Sequence, residues 1–167
     1  MYNRFSFLAA LIGGLTGLNS SLQATTEYIV TDLGTLGGTH SEAHGINSNG
    51  QIIGFTWTTN DQGFHAFASQ SGVMTDLGTL GGSHSEANAI NNAGQIVGQA
   101  FLPGDRAYYA FVSRNGSTTD LGTLGGTNSE AYGLNSFGQV VGSASLPGDL
   151  VSHAFITQNE VITVLSQ

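Results

Sequence analysis

The residues able to do chemistry in this chain fall into columns. Asp32, Asp76 and Asp120 stand 44 residues apart, as do Glu42, Glu86 and Glu130, and so do Asp61, Asp105 and Asp149. Carboxylates related by a repeat could gather on an axis and hold calcium, a hard cation that takes several oxygen ligands. The competing use is structural, because an Asp at a strand end or turn accepts local backbone N–H groups. The sequence contains neither a D-x-D-x-D-G loop nor a G-G-x-G-x-D array, so the structural use is favoured. Asp32, Asp76, Asp120, Glu42, Glu86 and Glu130 remain the weak calcium candidates, and no cofactor is expected.

His65 and His153 each precede an Ala-Phe pair, and paired-histidine zinc spacing is missing, so packing and hydrogen bonding are expected of them before metal binding. Asn128 replaces His40 and His84, and His44 gives way to Asn88 and Tyr132, a drift that suits solvent-facing positions. Hydrolysis would need an activated nucleophile or two carboxylates in separated environments. There is no G-x-S-x-G, and the acids recur equally in every unit. A glycan hydrolase or lyase is therefore only an alternative to a chain that catalyses nothing.

Columns that change between copies are better ligand candidates. Trp57, Phe101 and Ser145 share one column, Phe64, Tyr108 and Ser152 a second, and Asn49, Ala93 and Phe137 a third. Aromatic side chains near loop tips offer a large contact area at low rotamer cost and can stack on sugars or anchor a protein. They could equally cover gaps between units. The candidate ligand-binding residues are Trp57, Phe64, His65, Phe101, Tyr108, Tyr109, Phe137 and His153.

These columns exist because a unit has been copied. Asp-Leu-Gly-Thr-Leu-Gly-Gly begins at Asp32, Asp76 and Asp120, and Ser-Glu-Ala and N-x-x-G-Q-[IV]-[IV]-G follow in the same register. A fixed period of this length marks a supersecondary unit whose copies bury one another's apolar faces. Short Val, Ile, Thr, Phe and Tyr runs cut by glycine predict strands around Glu42–Asn47, Gln51–Thr58, His65–Gln70 and Val73–Leu77. The fold expected is all-β: three tandem 44-residue four-stranded units in a propeller-like arc. A three-fold closed β-trefoil or β-prism is the alternative.

Leu102-Pro103-Gly104-Asp105 and Leu146-Pro147-Gly148-Asp149 have the Pro-then-Gly order of a type II turn. Asn60 occupies the same glycine column in the first unit. Tyr28–Leu33 and Val161–Leu165 both copy the fourth strand, one more than three units need, and exposed edges invite pairing with another chain.

Residues 1–24 read as a signal peptide, with Arg4 before an apolar run from Phe5 to Leu18 and a small-residue site at Leu22-Gln23-Ala24. Residues 25–167 form one β-repeat domain with units 32–75, 76–119 and 120–163 and a terminal strand at 161–167. The expected location is secreted or periplasmic, without stable membrane insertion after cleavage. The sequence holds no cysteine, which removes disulfides, zinc–thiolate sites and thiol nucleophiles. Beyond the leader the cations are Arg106 and Arg114, and the whole chain carries a net charge of −8. A phosphate backbone would be repelled, so nucleic acid is a poor partner.

Together these stretches resemble the HAF-repeat family of probable extracellular bacterial proteins, named for the His-Ala-Phe found here at 65–67 and 153–155. The resemblance covers nearly all of 25–167 and implies export and a propeller-like β architecture, with no catalytic residues to carry over. Tyr109 replaces the family's histidine in the second unit, so that histidine is not a ligand required in every unit. The function expected is a non-catalytic module that binds a glycan or a protein. The alternative is an extracellular scaffold that self-associates through its terminal strands.

Overall fold

The computed structural model describes residues 28–158 and 161–164. The proposed signal segment, Glu160 and residues 165–167 lie outside the described residues. Residues 28–31 are exposed and carry no regular secondary structure.

From Asp32 onward the chain is all-β. The first sheet contains β1 (Gly37–Ile46), β2 (Ile52–Thr58), β3 (Phe64–Gln70) and β4 (Val73–Asp76), all antiparallel and in chain order. The second repeats this with β5 (Ser85–Ile90), β6 (Ile96–Phe101), β7 (Tyr108–Arg114) and β8 (Ser117–Asp120). The third uses β9 (Ser129–Leu134), β10 (Val140–Ser145), β11 (Ser152–Gln158) and β12 (Val161–Val164). Val161–Val164 thus completes the third sheet, whereas Tyr28–Leu33, expected as a surplus copy of the fourth strand, joins no ladder among the described residues.

Two apolar cores hold the sheets in series. Ile53 and Ala66 of the first sheet meet Ala87, Ile96, Ala100 and Phe111 of the second. Val97, Ala110 and Val112 of the second meet Ala131, Val140, Ala144 and Phe155 of the third. Period-two alternation lets each sheet present one set of residues forward and another backward. A closed trefoil or prism would share a single axial core; here each junction has its own, and no closed barrel forms among the described residues.

The Asp-Leu-Gly-Thr-Leu-Gly-Gly segment is the connection between sheets. Asp76 ends β4 and accepts the Gly78 N–H at 2.7 Å, as Asp120 accepts that of Gly122 at 2.5 Å and Asp32 that of Gly34 at 2.9 Å. Leu77 and Leu80 enter the first junction and Leu121 and Leu124 the second. The Ser85 hydroxyl then accepts the Ala66 N–H across the junction at 2.9 Å, and Ser129 does the same for Ala110 at 2.8 Å.

Asparagine makes a second stitch. Asn47 Nδ2 donates to the Asn91 carbonyl at 3.1 Å, and Asn91 Nδ2 to the Asn135 carbonyl at 3.0 Å. Each Asn Oδ1 also accepts two N–H groups of its own turn, which ties turn geometry to sheet stacking. The turns have the expected backbone: Gly104 and Gly148 sit at φ 84° and 89°, and Asn60 at φ 63°.

Candidate functional site

The hairpins β2–β3 and β6–β7 each end on a cross-strand aromatic pair, Trp57 opposite Phe64 and Phe101 opposite Tyr108. Residues directly opposite in an antiparallel ladder stand close enough for ring contact. Trp57 and Phe64 lie 5.8 Å apart by ring centroid, and Phe101 and Tyr108 5.4 Å. His84, at the entry to the second sheet, bridges the pairs, 4.5 Å from Phe64 and 5.5 Å from Phe101. Phe55 extends the line, 5.2 Å from Phe64 and 5.9 Å from His40.

The result is an unbroken strip of partly exposed rings across two sheets. It stops at the third, where Ser145 and Ser152 take the aromatic positions and their hydroxyls stand 3.4 Å apart.

The loops beneath the strip are held by the third acid column. Asp61 takes the Thr39 N–H and hydroxyl at 2.9 and 3.0 Å, Asp105 those of Ser83 at 2.8 and 2.7 Å, and Asp149 those of Thr127 at 2.7 and 2.9 Å. The Ser83 N–H and hydroxyl hold the Asp105 carboxyl below the usual range. These aspartates close each hairpin loop onto the chain entering the same sheet.

A polar row runs across the first strands of the sheets. His44 lies between Glu42 at 3.6 Å and Glu86 at 3.4 Å. Gln99 donates to Glu86 at 3.4 Å, Asn88 to Glu130 at 3.2 Å, and the Tyr132 hydroxyl to Glu130 at 3.3 Å. Burial pushes the Glu130 carboxyl up, the Asn88 and Tyr132 hydrogen bonds pull it back, and the Glu86 charge adds to the rise. The strip and the row meet at both ends. His44 packs edge-on to Phe55 at 5.5 Å, and the Tyr108 hydroxyl titrates higher than a free phenol through burial and the Glu130 charge.

Of the candidate ligand residues, the structure brings together Trp57, Phe64, Phe101 and Tyr108. It separates His65, Tyr109 and His153, which alternation puts on the opposite face of their strands. His65 pairs with Asp76 at 2.8 Å. Phe137 is 89% exposed at a turn tip, beside Gln95 and Arg114 and away from the strip.

Sequence reasoning missed Phe55, His40 and His84, and His44 and His84 are not the solvent-facing residues their drift suggested. Both are half-buried, His84 between two rings and His44 between two carboxylates.

The aspartates at 32, 76 and 120 serve their own turns, and among the described residues no group of three or more His, Asp or Glu side chains is arranged to hold a metal ion. No helix among the described residues is long and apolar enough to cross a membrane. No protein-family model, curated protein or solved structure matches this chain.

Proposed function

We propose that this chain is an exported, non-catalytic module that binds a neutral glycan along the ring strip. The observation that carries the reading is the strip itself: partly exposed rings in succession, bordered by carboxylates, amides and hydroxyls. Sugars present apolar ring faces flanked by hydroxyls, and such a surface offers stacking area with polar groups that fix orientation. The net charge of −8 disfavours an anionic glycan. Export rests on the N-terminal sequence pattern and on the resemblance to HAF-repeat proteins.

Trp57, the sole tryptophan, lies in the strip and reports on it directly. Titration with cellohexaose, xylohexaose and N-acetylchitohexaose should shift its emission saturably for at least one of them. No change across neutral sugars, with a shift on adding a protein partner, would replace the glycan with a protein ligand.

A further inference from the structure

We infer that a second copy of this chain docks head to tail, the third sheet of one copy against the first sheet of the other, and that two copies close a ring of six sheets. The docking is independent of the ligand on the strip. It continues the two junctions already built within the chain.

At those junctions the forward faces are Ile53, Ala66 and Ala68 in the first sheet and Val97, Ala110 and Val112 in the second. The same columns in the third sheet hold Val141, Ala154 and Ile156, and there Val141 is 44% exposed and Ala154 exposed, whereas Ile53 and Val97 are fully buried. The backward faces are Ala87, Ile90 and Ile96 in the second sheet and Ala131, Leu134 and Val140 in the third. In the first sheet those columns are Ala43, Ile46 and Ile52, with Ile46 66% exposed. With Leu33, His44 and Gly45 they line an open depression of about 340 Å³. It corresponds to the site that Ile53 fills between the first and second sheets.

Among the described residues the polar stitches are also left waiting. Asn135 Nδ2 donates within its own turn, to Gln139 at 2.7 Å, where Asn47 and Asn91 each reach the next sheet's carbonyl as well. Ser41 donates to the Gly34 carbonyl at 2.8 Å, as Ser85 donates to Gly78, but Ser85 also accepts the N–H of Ala66 in the sheet before it. A second copy supplies both missing partners: the Asn47 carbonyl for Asn135, and the Ala154 N–H for Ser41. Replacements also mark this junction: Tyr132 in the column of His44 and Asn88, Ser145 and Ser152 in the two ring columns, and Thr56 in the column of Ala100.

A head-to-tail contact either closes or runs on as a filament. Propellers close at about four to eight blades, and with three sheets per copy only two copies fall in that range.

Sedimentation velocity on the full chain, at up to about 100 µM so that a contact of roughly that strength is seen, should give the mass of two chains. Ile46→Asp spoils the head and Val141→Asp the tail. Both positions are exposed, so each variant should keep the wild-type circular-dichroism spectrum while becoming monomeric, its unfolding midpoint lower only by the stabilisation that association adds.

An equimolar mixture should recover dimer through the one intact head–tail pair, a complementation that a head-to-head contact cannot show. A wild-type chain that stays monomeric, variants that still dimerise, a mixture that stays monomeric, or growth into filaments would overturn the inference.

Discussion

The ends of the β6–β7 and β10–β11 hairpins are built on the same backbone and carry opposite chemistry. In both, a Pro-Gly-Asp turn closes with the Asp N–H on the preceding Leu carbonyl at 3.0 Å, and the Asp carboxylate captures a Ser or Thr 22 residues upstream. Yet one end holds Phe101 and Tyr108 and the other Ser145 and Ser152. The turn, the aspartate and the stitches are what the fold requires. The rings are not, since an otherwise matching end forms without them, and this freedom is what the proposed binding role draws on.

If the rings were structural, truncating one would cost as much as truncating a buried core aromatic. Phe111 is almost wholly buried in the first junction. Phe111→Ala should cost about 3–5 kcal/mol of unfolding free energy by denaturant titration, the usual loss for a buried aromatic. Phe101→Ala should cost clearly less, and an equal loss would assign the strip to the core.

A smaller effect separates two asparagines of one column. Asn91→Ala removes a cross-junction bond and leaves the Asn135 carbonyl without that donor, so a loss of about 1–3 kcal/mol is expected. Asn135→Ala should lose less in the monomer, because its amide serves its own turn. Equal losses in thermal unfolding would mean the stitch contributes nothing to stacking.

The smallest effect concerns Glu130, whose folded-state carboxyl titrates above its ordinary range mainly through burial. Its folded form binds the proton more tightly than the unfolded form, so its contribution to stability is fully present in acid and lost as pH rises through the raised value. Glu130→Gln should therefore flatten stability against pH across weak acid and raise the midpoint at neutral pH. A steeper profile would contradict the assignment.

Most of the fold was legible because the repeat exposed it. The strand order within a unit, the positive φ at Asn60 and the local role of Asp76 follow from turn chemistry and periodicity, which are short-range. The strip was legible in part: Trp57, Phe64, Phe101 and Tyr108 stood out because their columns change. Their cross-strand pairing depends on register, and the bridge through His84 depends on how one sheet packs on the next. Neither is encoded in residues adjacent in sequence. His84 was misread for that reason, since substitution by Asn128 looks like surface drift until Phe64 and Phe101 are seen on either side of it. The surplus strand at Tyr28–Leu33 failed for a related reason, because copying the sequence of a fourth strand does not supply a third strand to pair with.

The role proposed for the rings is binding, not merely sealing the rim of a junction. Calorimetric titration of the neutral hexasaccharide that shifts Trp57 emission checks this, comparing the wild-type chain with the double variant Phe101→Ser, Tyr108→Ser, which gives the end of the β6–β7 hairpin the chemistry of the β10–β11 end. Affinity should fall by about tenfold or more, equivalent to about 1.4 kcal/mol, in a protein that keeps its fold by circular dichroism. Unchanged affinity in the folded variant would contradict it.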